Sequence, residues 1–203
     1  MTENCQFASL HDAYASSYDE SVKAYDCYVT DVLFGLSYSE IHSAERLLDL
    51  GIGTGLLAAS YHKAGLIVSG MDYSQAMLEI CREKQVTVDL KLHDLLVVPW
   101  PFPDAGFHHV TCCGVFHFIP ELEGIFNEIR RVIREGGCLA FTSKAPLDSE
   151  IKIEVRTSSG MDIYSHSPGY LHELIEKNRF EVQKRMRCFV GEDVFWAWVV
   201  KAK

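Results

Sequence analysis

The stretch Leu47–Gly55, read as LLDLGIGTG, constrains this chain more than any other. Leu47, Leu48 and Leu50 have the apolar density of a parallel strand buried on both faces. Gly51, Gly53 and Gly55 follow at alternate positions, and Leu56–Ala59 then open an apolar helix. A glycine-rich turn between strand and helix lets backbone approach a ligand, because no side chain stands in the way. The helix start behind it offers unpaired N–H groups to an anionic group. A dinucleotide fingerprint, G-x-G-x-x-G, would need a third glycine where Leu56 stands. Asp49, two residues before the first glycine, adds an acid to the motif.

The rest of the chain predicts strand–helix repetition. One or two amphipathic helices are expected over Tyr14–Leu36, where Tyr14, Tyr18, Tyr25, Val29 and Val32 recur at near-helical spacing. Strands are expected at Arg46–Leu50, Leu66–Met71, Val86–Leu92, Phe107–Val115 and Cys138–Ser143. The helices between them are expected at Gly55–Lys63, after Ser74 as a cap, and at Glu121–Arg134. Such alternation argues for a parallel sheet with helices on both faces. Past Pro146 the rhythm changes: Ser167 caps a helix, then Phe180–Val190 and Val194–Lys201 flank Gly191–Asp193 as a hairpin. The predicted fold is therefore α/β and doubly wound, a mostly parallel seven-stranded sheet closed by an antiparallel C-terminal hairpin strand. No linker or repeat interrupts it. The chain is expected to be one domain over 1–203, with a helical cap at 10–45, a ligand-binding core at 46–143, and a helix and hairpin at 144–203.

Composition narrows the function classes. The 203 residues are 48% hydrophobic and 23% charged, the balance of a globular protein. No apolar run approaches membrane-spanning length and the N-terminus lacks a signal-peptide core, so a cytoplasmic location and no membrane partner are expected. The net charge is −9 and no dense Lys/Arg block is present, which argues against a nucleic-acid partner. The 7 cysteines show no zinc-knuckle spacing and their odd number argues against a full disulfide set. The histidines have no metal-binding spacing either, so no metal is expected.

Two acids carry the chemistry further. Asp72, at the end of the second strand, follows the glycine turn at the distance where a carboxylate accepts hydrogen bonds from ribose hydroxyls. Asp94, in HDLL after the third strand, is placed to accept from an adenine amino group, with Leu95 packing beside the ring. A dehydrogenase does not require that second acid. A turn-forming role for Asp94 is the competing reading.

With these residues in register, Leu47–Thr142 resembles the "type 11" core of the class I, Rossmann-like S-adenosylmethionine-dependent methyltransferases. GMDYSQAML resembles that family's second motif and REGGCLAFTS its fifth-strand motif. The resemblance implies S-adenosyl-L-methionine as cofactor and S-adenosyl-L-homocysteine as product. It implies that Asp49 and Gly51 hold the methionine end, Gly53 and Gly55 shape the turn, and Thr54 lies along the ligand. Asp72, Tyr73 and Met77 would frame ribose and adenine, Asp94 and Leu95 would meet adenine, and Cys113 or Gly114 would face the sulfonium. Tyr18 is a weaker match at the cofactor. Ile52 departs from the family, which most often has cysteine or alanine there, and is expected to be tolerated at a packed position.

The implied reaction is in-line methyl transfer to a small molecule. No Pro-Pro-Tyr/Phe tetrapeptide follows the fourth strand; VFHFIP stands there instead. His117 in that loop is the candidate catalytic base, with a merely packed histidine as the alternative. Tyr14, Tyr25, Tyr164 and His166 are candidates to contact the acceptor, and Tyr14–Leu36 is a candidate lid. Competing readings are a protein or tRNA methyltransferase needing a partner, a non-catalytic S-adenosylmethionine binder, and, more remotely, an NAD-dependent oxidoreductase. Neither the acceptor nor the oligomeric state is written in the sequence.

Overall fold

The computed structural model describes residues 12, 15–25, 27–148, 150–158 and 160–203. Two N-terminal helices, α1 (Tyr18–Ala24) and α2 (Val29–Ser37), precede the sheet. Then come β1 (Arg46–Leu50), α3 (Leu56–Lys63), β2 (Ile67–Asp72), α4 (Gln75–Glu83), β3 (Asp89–Leu92) and β4 (Phe107–Cys112). They are followed by α5 (Glu123–Val132), β5 (Ile133–Lys144), β6 (Ile153–Ser158), β7 (Met161–His166), α6 (Pro168–Lys177), β8 (Phe180–Val190) and β9 (Asp193–Ala202). Seven strands form one sheet in the order β3-β2-β1-β4-β5-β9-β8. β1 to β5 pair in parallel, and β9 runs antiparallel to both β5 and β8.

Alternation along β1 separates the two layers of the core. Leu48 and Leu50 face α5 and α6, where Ile125, Phe126, Ile129, Leu171 and Ile175 are buried together with Phe141 and Trp198. Leu47 faces the other way, onto Leu33 of α2, Leu57 and Tyr61 of α3, and Leu78 and Cys81 of α4. A side chain of this size fully buried contributes roughly 1.5–3 kcal/mol, so both faces of the sheet are closed by sizeable apolar contacts. The helix starts follow from their caps. Ser74 Oγ accepts from Met77 N at 3.2 Å, and Ser167 Oγ accepts from Tyr170 N at 3.2 Å with Pro168 at the first helical position. Ile52 is buried against Gly70, where a side chain would collide with it, so the glycine on β2 makes room for the isoleucine.

Two segments differ from the sequence reading. β5 starts at Ile133 rather than Cys138, because the chain passes Gly136, at φ +71°, without leaving the sheet; its pairing with β4 shifts register there instead. Between Pro146 and Ser167, where the sequence reading places no element, the chain forms an antiparallel ribbon of β6 and β7. Its signal was present: Ile153, Val155 and Thr157 alternate before a Ser-Ser-Gly turn, and Met161 and Ile163 alternate after it. Among the described residues no helix is long and apolar enough to cross a membrane. The six described cysteines are free thiols.

Candidate functional site

The strand order reverses direction between β1 and β4, whose carboxyl ends therefore diverge and leave a crevice. A cavity of about 480 Å³ lies there. Its floor is the glycine turn. Gly51, Gly53 and Gly55 have φ of +62°, +55° and +80°, in the left-handed region that favours glycine. A Cβ at Gly51 would come within 2.5 Å of Val115, whereas Gly53 and Gly114 have no atom within 4 Å of that position. Backbone at these two cavity-lining glycines is thus bare toward open space, as a cradle for a close-fitting ligand requires.

Asp72, at the end of β2, is nearly buried. Its Oδ2 accepts from Gly53 N at 2.8 Å and its Oδ1 from Ser74 N at 2.9 Å, which locks the carboxylate beside the turn. Asp49 is buried deeper, beneath the floor, and its Oδ1 accepts from Thr111 Oγ1 at 2.7 Å. Burial, with the Asp72 charge adding to it, pushes the Asp49 carboxyl up to about 7. A cationic group in the cavity would favour its ionised form. The donor and acceptor set therefore fits a ligand with vicinal hydroxyls at Asp72 and a positive end near Asp49.

Tyr18, Thr54, Tyr73, Met77, Leu95, Cys113 and His117 also line the cavity. Desolvation pushes the Tyr18 phenol up to about 12, and burial raises the Cys113 thiol far above its ordinary value, so Cys113 is not a thiolate nucleophile. Gly114 N donates to Thr142 Oγ1 at 2.8 Å, which ties the end of β4 to β5. His117 sits in a 3₁₀ turn, Phe116–Phe118. Its ring lies 4.0 Å from that of Phe118 and edge-on to Phe195 at 5.7 Å.

Asp94 is not part of the cavity wall. Its Oδ1 accepts from Leu96 N at 2.9 Å and its carbonyl from Val97 N at 3.0 Å, so the observed bonds are those of a turn that presents Leu95. Three of the acceptor candidates stand elsewhere as well. Tyr25 is 74% exposed and does not line the cavity. Tyr164 and His166 share a face of β7, whereas the cavity is lined by the alternate residues Met161 and Ile163. His166 is buried, stacks on Tyr170 at 5.7 Å and shares a 3.3 Å hydrogen bond with the Pro120 carbonyl; burial lowers its pKa. Tyr14 lies outside the described residues.

The N-terminal helices roof the crevice. Tyr18 and Val22 of α1, and Val29 and Thr30 of α2, line it from above. Asp19 fastens α1 in place: its Oδ1 accepts from Thr54 Oγ1 at 2.5 Å and its Oδ2 pairs with Lys84 Nζ at 2.5 Å. α1 has no buried residue of its own, and these two polar contacts tie it to the floor. The far end of the cavity is walled by Phe118, Lys144, Met161, Ile163, Val190, Asp193 and Phe195. Sequence reasoning missed all of these. The β6–β7 residues were findable from the hairpin signal. Val190 and Asp193 flank the C-terminal hairpin turn that the sequence signals, but Lys144 reaches Phe195 and Asp193 only through the pairing of β5 with β9.

Residues 48–141 match the family model for a methyltransferase domain. The chain is 32% identical over 158 residues to the malonyl-[acyl-carrier protein] O-methyltransferase of Legionella pneumophila, covering 72% of this chain and 52% of that one. It spans about half the length of the curated relatives it matches first. Among solved structures, magnesium protoporphyrin IX methyltransferase from Synechocystis with bound S-adenosylhomocysteine aligns with a TM-score of 0.71 at 15% identity, over 91% of this chain and 86% of that one. A methyltransferase from Methanosarcina mazei aligns with a TM-score of 0.69 at 14% identity, over 81% of this chain and 95% of that one. At such identities these structures speak for the fold alone. Fold, glycine turn and domain match together define a methyltransferase domain. The chain belongs to the class I, Rossmann-like S-adenosylmethionine-dependent methyltransferases.

Proposed function

We propose that this protein transfers a methyl group from S-adenosylmethionine to a small-molecule acceptor. The observation that carries the reading is the crevice itself. A bare glycine turn, a fixed carboxylate at Asp72 and a buried acid at Asp49 stand at one end, and a largely apolar chamber stands at the other. In this assignment Asp72 accepts from the ribose hydroxyls, Leu95 and Met77 pack the adenine, and Asp49 faces the methionine ammonium. S-adenosylmethionine supplies, when bound, an electrophilic methyl group with a neutral thioether as leaving group.

The chain's own part is alignment and exclusion of water. Phe118, Met161, Ile163 and Phe195 exclude water from the acceptor, and the roof of α1 and α2 closes over it. We assign α1 as a lid, because none of its residues is buried and Asp19 ties it to the floor through polar contacts, whereas α2 is held in the core by Leu33 and forms the fixed part of the roof. His117 is placed to hold or remove the acceptor's proton: it lies in the cavity wall on a turn fixed by its neighbours, Phe116 being buried in the core. Tyr18 orients the acceptor or cofactor by its protonated hydroxyl.

A second reading has one observation in its favour. The Legionella relative acts on malonyl-[acyl-carrier protein], so the acceptor here could be a small group delivered on a carrier. Release of S-adenosylhomocysteine separates the readings. Turnover on a panel of free metabolites supports the first, turnover only on carrier-linked acyl groups supports the second, and S-adenosylmethionine binding without turnover on either would leave a binding protein.

A further inference from the structure

A second cavity, of about 170 Å³, adjoins the first. It lies between the β6–β7 ribbon and the β8–β9 hairpin, and six charged side chains line it beside Ala145, Pro146, Leu147 and Val194. Lys144 and Asp193 line both cavities and so form the wall between them. The ribbon's inner face changes character along its length. Met161 and Ile163 face the large cavity, whereas Glu154, Arg156 and Ser165 face the small one. Arg156 stands opposite Ile163, and Glu154 opposite Ser165, so these residues share one face in a continuous row.

The charges in the small cavity are unequally occupied. Glu154 accepts from Leu147 N at 2.7 Å and from Arg156 Nε at 2.8 Å. Lys144, whose side chain is only 16% exposed, has a single acceptor among the described residues, Asp193 Oδ2 at 2.7 Å. An ammonium carries three donors, and a desolvated one costs free energy for each donor left without an acceptor. Arg187 also lines this cavity and has no carboxylate within ion-pair distance among the described residues; its guanidinium lies 5.4 Å from the Trp196 ring centre. Arg187 and Glu192 are both exposed and screened by solvent, which leaves the half-sequestered Lys144 as the principal charge of this cavity.

We infer that the acceptor site is bipartite: an apolar chamber beside the methyl donor, and an oxyanion subsite at the Lys144–Arg187 wall. Lys144 is the anchor, offering to a ligand oxygen the donors that Asp193 does not use, and Arg187 completes the subsite from β8. The acceptor is then an amphipathic anion, with an apolar body in the chamber and a carboxylate or phosphate in the subsite. The inference rests on the assignment of the large cavity as the methyl-transfer site. It makes Lys144 a specificity-determining residue, and the anion an anchor rather than the methylated atom.

The test is calorimetric titration of the full chain, saturated with S-adenosylhomocysteine, with octanoate, octyl phosphate, octanol and octylammonium. The expected result is binding of at least one of the two anions about tenfold or more tighter than octanol, the size of one charge-assisted hydrogen bond. The tighter anion identifies which oxyanion the subsite takes. Lys144→Met should abolish that preference and Lys144→Arg should keep most of it. Arg187→Gln should reduce it about threefold or more, and Arg185→Gln, on the same strand but outside both cavities, should leave it unchanged. Equal binding of octanol and the anions, tightest binding of octylammonium, or an unchanged preference in Lys144→Met would overturn the inference. Binding of S-adenosylhomocysteine is measured first in every variant. Its absence in the wild type would refute the function proposed above, whereas its presence with indifferent anions would refute the subsite alone.

Discussion

Asp49→Asn should stabilise the protein without ligand above neutral pH while weakening its grip on S-adenosylmethionine. Asp49 is buried and lies near the Asp72 carboxylate, and its carboxyl is raised from 3.8 to about 7. Between those values the folded protein holds a proton that the unfolded chain has released. Stability from this group is therefore fully present below about pH 4 and is lost as pH rises through about 7. The rise corresponds to a loss of about 4 kcal/mol, a large share of the ~5–15 kcal/mol that holds a domain folded. Asparagine keeps the oxygen that accepts from Thr111 Oγ1 and has nearly the same volume, but it never ionises. Urea unfolding of both proteins, at steps from about pH 4.5 to about pH 8.5, reads the effect as a difference, so that every other titrating group cancels. The variant should gain on the wild type with rising pH, by about 2–4 kcal/mol across the range. With saturating S-adenosylmethionine the advantage should shrink or reverse, because the cationic ligand stabilises the charge that the variant lacks. A difference in unfolding free energy that stays flat with pH would refute the reasoning.

The remaining predictions concern the roof and the base. Amide exchange over residues 15–25 should slow when S-adenosylhomocysteine is added, and Asp19→Ala, which removes the partner of both Thr54 and Lys84, should speed exchange there in the unliganded protein; equal protection in all states would mean a fixed helix. His117→Ala should lower turnover by about 10²-fold or more if the imidazole moves a proton, with affinity for S-adenosylhomocysteine unchanged. A variant that loses less than about threefold would assign His117 to packing against Phe118 and Phe195.

The glycine turn at the floor of the cavity was legible because its geometry is local: Gly51, Gly53 and Gly55 act through backbone conformation within one turn. Asp49 on the same strand and Asp72 one strand away reach it with side chains at distances set by the βαβ unit. Cap residues Ser74 and Ser167 were legible for the same reason: each bonds three residues along. The far end of the cavity was not. Lys144 and Asp193 are far apart in sequence and meet because β5 and β9 pair antiparallel, a register that no local pattern announces. Tyr164 and His166 show the period-two problem in small: without the ribbon, nothing in the sequence decides which face of β7 looks inward, and a shift of one residue exchanges Tyr164 for Ile163. Asp94 keeps both of its readings, since a short Asp side chain after a strand serves a turn as readily as a ligand, and the bonds it makes here are those of the turn.

The central claim is that the glycine turn and Asp72 hold S-adenosylmethionine, and thermal unfolding with ligand tests it most directly. A ligand that binds only the native state raises stability by RT ln(1 + [L]/Kd). S-adenosylmethionine and S-adenosylhomocysteine should both raise the melting temperature in a saturable way, and NADH should not. Asp72→Ala removes the acceptor for the ribose hydroxyls and should weaken binding by about 1–3 kcal/mol, or about five- to 150-fold in Kd. No shift with either ligand, or an unchanged Kd in Asp72→Ala, would contradict the account.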